Sequence, residues 1–480
     1  MRTGAEFLAA LRSNKREVWS CGERIADVTT HPALRRPAEQ IARLYDMQFD
    51  SAYPELSYVT EEGGKAATSF IRPKTRDDLA KRREAFATVA RTNFGLMGRA
   101  PDFVNCSVMA LAEAADFFAQ GRPEFGRNIV NYYKYIRDND LFLTHALTSP
   151  QGDRSKASSE QNGAYFHLGV VKETSEGIVI SGARSLVTLS PLADELLVYN
   201  IPGLRPGDEK HALAFALPID APGMRQILRE PYDQDKRLAA DHPLAANFEE
   251  ADSLLVFDNV LVPWNRVFLM GDVNLSNRLY SQSHLRNHTA HQTAVRALVK
   301  MQFAVGLAVS VARASKADSF LHVQEMLGEC VTYIEALRAC IHQSEAEAEL
   351  TPQGTLRPAL VPLQTTRLMM PRFYPRVIEI LQIVGAGGLL MIPSMADFAS
   401  PVGSEVERFN SGAGGLSGFD RTRLMKVAWD LAGDAFGSRQ LQYERYYAGD
   451  PVRAKALTYN EYDWTACNEL VERAMDLAKP

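Results

Sequence analysis

Cysteine is scarce in this sequence, and no cysteine spacing suggests a metal or redox centre. Five cysteines are scattered over 480 residues without a CxxC pair. That pattern indicates reduced thiols, predicts a cytoplasmic protein and argues against zinc or iron–sulfur ligation. His284, His288 and His291 are close in sequence, but neither an HExxH motif nor a carboxylate at ligand spacing accompanies them. We therefore expect no metal site.

A strong net charge and long apolar runs are also missing. The 53 basic and 58 acidic side chains leave a formal net charge of −5, which provides no electrostatic footprint for nucleic acid or an anionic membrane. The N-terminus lacks the apolar stretch of a signal peptide. Residues 377–392 form the most hydrophobic run, but Glu379, Gln382 and glycines interrupt it, whereas a bilayer needs about 20 mostly apolar residues. We expect neither nucleic acid nor a membrane as a partner.

The periodicity of apolar residues divides the chain into three regions. Up to about residue 139, apolar residues return every three or four positions, which predicts helices. Residues 141–269 contain short alternating or β-branched runs, many of them separated by Gly, Pro or Asp, which predicts strands. From about residue 276 the helical period returns in segments long enough for a bundle. The sequence thus predicts an α+β chain with an N-terminal helical domain (1–139), a central β domain (140–275) and a C-terminal helix bundle (276–480).

Two segments offer side chains for anion binding or acid–base chemistry. A predicted helix closes in glycine before Arg99 and a proline turn, which places a guanidinium at a helix-to-loop corner suited to an anion. His145 stands at the end of a predicted strand that leads into the polar loop 149–154, a setting for an acid–base or hydrogen-bonding group. Each has a structural alternative: Arg99 pairing with Asp102 or capping carbonyls, and His145 as a buried, hydrogen-bonded histidine.

Two further segments are weaker candidates. On a helix, His284, His288 and His291 would share one face, from which a single histidine could act as a base. Residues 436–440 and 443–451 combine small residues, arginines and aromatics before a Gly-Asp-Pro turn, a set suited to a ring system and a pyrophosphate. The alternatives are a structural histidine face and aromatic packing within the bundle.

Taken together, these segments resemble the oxygenase components of two-component flavin-dependent phenol hydroxylases, the 4-hydroxyphenylacetate 3-monooxygenase and chlorophenol monooxygenase family. The segments that carry the resemblance span the chain: 1–4 (MRTG), 27–32 (DVTTHP), 98–102 (GRAPD), 144–147 (THAL), 181–184 (SGAR), 258–264 (DNVLVPW), 436–439 (FGSR) and 449–451 (GDP). The resemblance implies an acyl-CoA-dehydrogenase-like fold with an N-terminal helical domain, a central β-barrel-like domain and a C-terminal four-helix bundle. It also implies a homotetramer, or dimer of dimers, assembled through the C-terminal helices.

The resemblance further implies an FADH2-utilising monooxygenase. In this family FAD is reduced by a separate NAD(P)H:flavin reductase and forms a C4a-hydroperoxide with O2, which hydroxylates a phenol. Because the separate reductase binds NAD(P)H, the oxygenase needs no dinucleotide-binding motif, which explains why no GxGxxG follows a predicted strand. The substrate stays open among a halo- or nitrophenol, a hydroxyphenyl acid and a tyrosyl unit tethered to a carrier protein. The alternative is a dehydratase or dehydrogenase of CoA thioesters with the same fold; the dehydratase needs several cysteines, and only Cys106 is near Arg99.

Roles for individual residues follow from the resemblance. Arg99 and His145 match residues that contact the flavin ring and the substrate hydroxyl, and Phe103 stands where hydroxyphenylacetate enzymes commonly carry tyrosine, which argues against hydroxyphenylacetate itself. His291, with His288 as the fallback, matches the histidine base of halo- and nitrophenol enzymes. The catalytic residues expected are Arg99, His145 and His291, and the substrate contacts expected are Arg99, Phe103, His145, His288, His291, Tyr446 and Tyr447. The expected flavin-holding residues are His145, Ala146, Leu147, Gln151, Gly152, Asp153, Arg154, Thr188, Ser438, Arg439, Asp450 and Arg453.

Overall fold

The N-terminal region is mainly helical, with four short strands. The computed structural model describes residues 1–163, 165–232 and 237–478. The first elements are α1 (Gly4–Ser13), β1 (Val18–Ser20), β2 (Glu23–Ile25), α2 (Arg35–Met47), β3 (Ser57–Val59), β4 (Lys65–Ala67), α3 (Arg76–Thr92), α4 (Pro101–Glu113), α5 (Ala115–Ala119) and α6 (Pro123–Asn139). Capping boxes at Thr3 and Thr75 begin α1 and α3, because each hydroxyl accepts a hydrogen bond from a backbone N–H of the first helical turn.

Two mixed sheets form the central region. Its elements are β5 (Leu143–Ala146), β6 (Gly169–Glu173), β7 (Gly177–Thr188), β8 (Glu195–Val198), β9 (Leu213–Pro218), β10 (Met224–Leu228), α7 (Pro243–Phe248), β11 (Asp252–Pro263) and β12 (Val267–Met270). The six-stranded sheet has the order β2-β1-β10-β11-β7-β6, and the four-stranded sheet the order β12-β9-β8-β5. The turn at Gly177 joins β6 and β7 as an antiparallel hairpin, as its sequence predicts.

The boundary between the first two regions differs from the prediction in one respect. α6 ends at Asn139, but β1 and β2 from the N-terminal region belong to the central six-stranded sheet, where β1 pairs in parallel with β10. Such a long-range parallel pairing leaves no signal in a three-residue strand. The first 139 residues are therefore not purely helical, and they share a sheet with the β region.

The C-terminal region is a helix bundle around one long central helix. Its elements are α8 (Val273–Gln282), α9 (Leu285–Ala314), α10 (Leu321–Ala346), β13 (Glu349–Leu350), β14 (Leu356–Arg357), α11 (Leu360–Gly385), α12 (Gly403–Phe409), α13 (Gly418–Ala432), α14 (Ala435–Tyr446), α15 (Pro451–Glu461) and α16 (Thr465–Asp476). α9 packs against α10, α11 and α13, which together make the four-helix core. α9 is long and apolar enough to cross a membrane by length and composition, but 67% of its most apolar window is buried inside the protein.

A buried ionic network fixes α14 to α9. Glu444 of α14 accepts hydrogen bonds from Arg296 Nη1 (2.9 Å) and Lys300 Nζ (2.8 Å) of α9. Arg296 also donates to the carbonyl of Gly95 (2.9 Å), so the turn before α4 is tied to the same network. Gly95 has φ +70°, and a Cβ there would lie 2.8 Å from the backbone of α9, so this close approach requires glycine. The network thereby holds the residues that follow Gly95 against α14.

Candidate active site

The Arg99 guanidinium is fixed on three sides and free on the fourth. Its Nη1 donates to the hydroxyl of Tyr443 (2.6 Å) and to the carbonyl of Gly98 (2.9 Å), and its Nε donates to His145 Nε2 (3.3 Å). The backbone N–H of Arg99 donates to the buried carboxylate of Glu250 (2.7 Å). Within the described ranges no side chain or carbonyl accepts a hydrogen bond from Nη2. A half-buried guanidinium held in this way can present two N–H groups to an anionic or phenolic oxygen.

His145 is a neutral hydrogen-bond acceptor towards Arg99 in this arrangement. Because a guanidinium only donates, His145 Nε2 must accept, and the ring hydrogen then lies on Nδ1. Nδ1 is enclosed on the far side of the imidazole from Arg99 and has no partner in the described part of the chain. Burial, and then the charge of Arg99, hold the pKa of His145 well below its usual value. The site therefore offers two N–H donors left unpaired by the described residues, both on Arg99 Nη2, and His145 orients the guanidinium that carries them.

Aromatic rings surround these donors. The Arg99 guanidinium lies over the Phe103 ring at 4.2 Å, since the two residues are one helical turn apart across the start of α4. Phe103 packs edge-to-face on His145 at 5.3 Å, and Tyr199 approaches His145 at 6.5 Å between ring centroids. Tyr280 of α8 lies a further 6.3 Å beyond Tyr199. Such a wall can pack an aromatic ring whose oxygen faces the two donors.

One group of expected flavin residues lies in an exposed loop next to the site. Gln151, Gly152, Asp153 and Arg154 follow His145 after the end of β5, and all four are exposed. Gly152 has φ +51°, a left-handed backbone conformation that favours glycine.

Thr188 and Arg439, two other expected flavin contacts, meet at one carboxylate. Thr188 donates to Asp252 Oδ1 (2.8 Å), and Arg439 forms a two-pronged pair with Asp252 at 2.8 and 2.9 Å. These partners hold the pKa of Asp252 down at about 2 in spite of burial. Arg439 also donates to Glu250 (3.1 Å), the acid that fixes the backbone of Arg99. Both side chains are engaged by the protein's own carboxylates, and Arg439 reaches the Arg99 corner through Glu250.

Ala146 is buried at the end of β5 and Leu147 is half-buried beside it, whereas three other expected flavin contacts lie at the ends of α14 and α15. The Ser438 hydroxyl donates to a backbone carbonyl one helical turn earlier, and Asp450 caps α15. Arg453 is exposed and lies beside the Gly203 loop. Within the described residues, none of the three contacts Arg99 or His145.

His288 and His291 are engaged by other buried groups and not by Arg99 or His145, so the prediction that one of them is the phenol base gains no support from this geometry and stays a prediction. Both are fully buried, and Arg82 donates to His288 Nδ1 (3.0 Å) and His291 Nδ1 (3.4 Å). His291 Nε2 bonds Glu345 at 2.8 Å, and His288 Nε2 faces Glu113 at 3.7 Å. Every ring nitrogen of these two histidines thus faces a protein group.

Tyr446 is misplaced by the sequence prediction. Its side chain is 54% exposed, whereas Tyr443, one turn before Tyr447, is the residue that reaches Arg99. Tyr447 stacks on Tyr443 at 5.5 Å and lies 5.6 Å from Arg296, so it supports Tyr443 from behind. Positions four apart share a helix face and adjacent positions do not, which is a signal that the sequence did contain.

Glu250 and Tyr199 were missed for a different reason. Glu250 lies 151 residues from Arg99 along the chain, and Tyr199 follows β8, which is paired with the strand of His145. Neither belongs to a motif, so a single sequence carries no signal that would place them at the site.

Two family profiles match the chain in succession. The profile described as "4-hydroxyphenylacetate 3-hydroxylase N terminal" matches residues 3–269, and the corresponding "C terminal" profile matches residues 276–476. The chain belongs to the 4-hydroxyphenylacetate 3-hydroxylase family. The resemblance inferred from the sequence motifs is thereby confirmed.

Relatives within the family differ in the substrates for which they are named. The oxygenase component of 4-hydroxyphenylacetate 3-monooxygenase from Thermus thermophilus is 44% identical over 96% of this chain and 95% of the relative. The oxygenase component of 4-nitrophenol 2-monooxygenase from a Rhodococcus species is 32% identical over 96% and 89%. A Streptomyces globisporus monooxygenase named for a 3-chloro-4-hydroxyphenyl amino acid on a peptidyl-carrier protein is 34% identical over 93% and 85%.

Solved structures confirm the predicted fold class. A crystal structure of the oxygenase component of 4-hydroxyphenylacetate 3-monooxygenase, complexed with FAD and 4-hydroxyphenylacetate, matches with a TM-score of 0.95. It is 43% identical and covers 100% of this chain and 99% of that one. The 4-hydroxybutyryl-CoA dehydratase from N. maritimus, 19% identical, matches with a TM-score of 0.89 over 100% and 95% of the two chains and shares the fold alone.

The cysteines do not fit the iron–sulfur alternative. Cys106 is buried in α4 and donates its thiol hydrogen to the carbonyl of Phe103 (3.1 Å). The other cysteines lie on separate elements and are not gathered at the Arg99 corner: Cys21, Cys330, Cys340 and Cys467.

The buried His288 predicts an acid-sensitive fold. Burial lowers the pKa of His288 to about 4, against 6.5 when unfolded. Between pH 6.5 and 4, His288 is protonated in the unfolded chain but stays neutral in the folded chain. The free energy of unfolding therefore falls as the pH falls from 6.5 towards 4, by at most roughly 3 kcal/mol for this group. Urea unfolding of the wild type at pH 7.5, 6 and 5 measures the loss.

The His288→Gln variant isolates this contribution. Glutamine cannot titrate, so the variant should show a flatter dependence of unfolding free energy on pH, whatever its absolute stability. His322→Gln, at an exposed position of α10, is the matched control and should keep the wild-type slope. Equal slopes for wild type and His288→Gln would contradict the assignment of a neutral buried imidazole.

Proposed function

We propose that this chain is the oxygenase component of a two-component phenol hydroxylase and that Arg99, oriented by His145, binds the phenolic oxygen. The observation that carries the proposal is the edge of Arg99 at Nη2, left unpaired by the described residues, beside the ring of Phe103, with Nε fixed by His145. Family membership supports the reaction class, and the named phenolic substrates of the relatives support the substrate class.

The residues present fit FAD as the cofactor. The exposed loop 151–154 offers a glycine backbone and Arg154, which has no acidic partner within 4 Å among the described residues. The Arg99 guanidinium supplies positive charge at the edge of the aromatic wall, which suits an anionic reduced ring. When bound, reduced FAD would supply the activated oxygen from O2. The loop and Arg154 would hold the cofactor, and the aromatic wall would exclude water from the reacting oxygen.

The chain's own residues would act on the phenol by stabilising its ionised form. A phenol oxygen that accepts hydrogen bonds from Arg99 Nη2 gains most when it is a phenolate, because the donor is charged. A phenol titrates near 10 in water, so this preference brings ionisation towards neutral pH. His145 cannot take the phenol proton while its Nε2 accepts from Arg99. Its proposed role is therefore to orient the Arg99 guanidinium, and no histidine base is needed.

Phe103 bears on which phenol is preferred. It provides an apolar ring where related hydroxyphenylacetate enzymes resembling this chain carry a tyrosine hydroxyl. With two donors instead of three, we infer a preference for phenols that ionise easily, such as nitro- or halophenols, over a hydroxyphenyl acid. A carrier-tethered tyrosyl unit is a third candidate, supported by the Streptomyces relative.

The assembly and the reductase are also proposals. α15 and α16 are largely exposed in the single chain and carry exposed apolar side chains, including Trp464 (41%), Leu470 (65%) and Met475 (65%). Exposed apolar surface of this kind is typical of a subunit contact, which supports a homotetramer joined through the C-terminal helices. Reduced FAD would come by diffusion from a separate NAD(P)H:flavin reductase. A cytoplasmic location stays a prediction.

Removal of the Arg99 or the His145 side chain tests the proposed site. Arg99→Ala and His145→Ala should each lower kcat/KM for hydroxylation by about 10- to 10²-fold, since a hydrogen bond to a charged oxygen contributes roughly 1.5–3 kcal/mol. The pH optimum should move upwards, towards the phenol's own ionisation. Initial rates with reduced FAD, O2 and 4-nitrophenol between pH 6 and 9.5 provide the measurement.

Arg91→Ala is the control for these two variants. Arg91 lies on the exposed face of α3 and pairs with Glu84, so its loss should leave rate and pH profile unchanged. Far-ultraviolet circular dichroism should show the same fold in all three variants. Wild-type turnover in either Arg99→Ala or His145→Ala would refute the proposed roles.

A Phe103→Tyr variant tests the substrate preference. The added hydroxyl would lie near Arg99 and His145 and offer a third donor to the phenol oxygen, worth about 0.5–1.5 kcal/mol. We expect kcat/KM for 4-hydroxyphenylacetate to rise up to about ten-fold relative to 4-nitrophenol. Phe103→Leu, which keeps an apolar side chain, should leave that ratio unchanged. If Phe103→Tyr does not change the ratio, Phe103 does not set the preference.

A further inference from the structure

Arg184 is a buried arginine that the proposed function does not use. It lies near the end of β7, within the SGAR segment, and its side chain is almost completely buried. Its Nη1 donates to the carbonyl of Leu147 (3.0 Å) and weakly to the Ser149 hydroxyl (3.4 Å), and its Nη2 donates to Asn200 Oδ1 (2.5 Å). Its Nε is buried without an acceptor in the described ranges. All of its partners are neutral.

Among the described residues this guanidinium, like those of buried Arg16 and Arg82, lacks the paired acid that Arg296 has. Arg296 pairs with Glu444 at 2.9 Å, whereas no carboxylate of the described residues comes within 4 Å of Arg184. Burial alone acts on the group and lowers the pKa of Arg184 to about 10, so it remains charged at neutral pH. A buried, uncompensated charge is costly, so such a group calls for a counter-charge.

The position of Arg184 indicates where that counter-charge would lie. Leu147 comes two residues after His145, and Asn200 comes directly after Tyr199, so Arg184 ties together the ends of the two strands that carry these site residues. Residues 147–150 are half-buried and lead into the exposed loop 151–154. Leu147 and Ser149, which Arg184 contacts directly, therefore connect the guanidinium to the loop proposed to hold FAD. A buried charge in that position is little screened by water or salt.

We propose that Arg184 is the buried counter-charge for the anionic ring of reduced FAD, and that it makes the protein bind reduced FAD more tightly than oxidised FAD. The inference rests on the proposed function, because it takes FAD as the cofactor. It goes further by assigning to Arg184 the discrimination between the two redox forms. An oxygenase that receives FADH2 from a separate reductase needs this discrimination, since oxidised FAD would otherwise occupy the site. Arg184 acts through space and is a positioning and electrostatic residue, not a catalytic one.

The test compares the affinities of the protein for the two redox forms of FAD. Anaerobic titration with reduced FAD and aerobic titration with oxidised FAD give two Kd values, and their ratio is the readout. In the wild type we expect tighter binding of reduced FAD. Arg184→Gln should shrink that preference about ten-fold, which corresponds to a shift of about 30 mV in the two-electron potential of bound FAD. Arg184→Lys keeps the charge and should keep most of the preference.

A second pair of variants leaves Arg184 in place. Ser149→Asp puts a carboxylate beside Nη1 and neutralises the guanidinium, whereas Ser149→Asn has nearly the same shape without the charge. Ser149→Asp should reproduce the effect of Arg184→Gln, and Ser149→Asn should not. If Arg184→Gln fails to fold, this pair of Ser149 variants still tests whether the charge of Arg184 sets the preference for reduced FAD. Arg16→Gln is the control for removing a buried arginine, because Arg16 also donates to backbone carbonyls but lies in the N-terminal region.

The outcomes separate this inference from the proposed function. If the wild type binds neither form of FAD, the proposed function fails. If it binds both, but Arg184→Gln and Ser149→Asp leave the ratio of the Kd values unchanged, the inference is overturned. If Arg184→Gln weakens the binding of reduced and oxidised FAD equally, the inference is also overturned, because that result means that Arg184 only supports the loop.

Discussion

The Arg99 guanidinium is held by groups from all three regions of the chain, and the site depends on that constraint. Arg99 itself belongs to the N-terminal region, His145 and Glu250 to the central region, and Tyr443 to the C-terminal bundle. Each of these contacts uses a different donor of Arg99, so together they leave Nη2 as the free edge. The free edge that we propose binds the phenol therefore exists only when the three regions pack against one another. This explains why a single motif cannot build the site.

The surrounding ionic pairs serve to keep that geometry rigid. Glu444 joins Arg296 and Lys300 beneath Tyr443, and Asp252 fixes Arg439, which in turn contacts Glu250. Buried pairs of this kind add little net stability compared with apolar packing, but they require one arrangement of their partners. Their value here is in orientation: they hold Tyr443 and Glu250, and these two hold Arg99.

Much of the architecture was predictable because periodicity is a local property. The helical and strand-like regions, the Gly177 hairpin and the positions of Arg99 and His145 at element ends all follow from short-range patterns. Long-range pairing was not predictable, as β1 in the central sheet shows. The helical spacing predicts that His288 and His291 share a face. It does not predict that buried Arg82 donates hydrogen bonds to both rings, and those bonds determine what the two histidines do. The sequence prediction names the adjacent pair Tyr446 and Tyr447, whereas the i, i+4 spacing of Tyr443 and Tyr447 on one helix face indicates Tyr443.

The central proposal is that Arg99 offers hydrogen-bond donors to a phenol and that His145 is neutral and accepts a hydrogen bond from Arg99. The most direct measurement is the nitrogen-15 NMR spectrum of the histidine side chains, with the His145 signals assigned by their loss in His145→Asn. The account predicts a protonated Nδ1 and an unprotonated Nε2 that persist from pH 6 to 8. A hydrogen on Nε2, or an imidazolium at pH 7, would contradict it, because Arg99 could not then donate to His145.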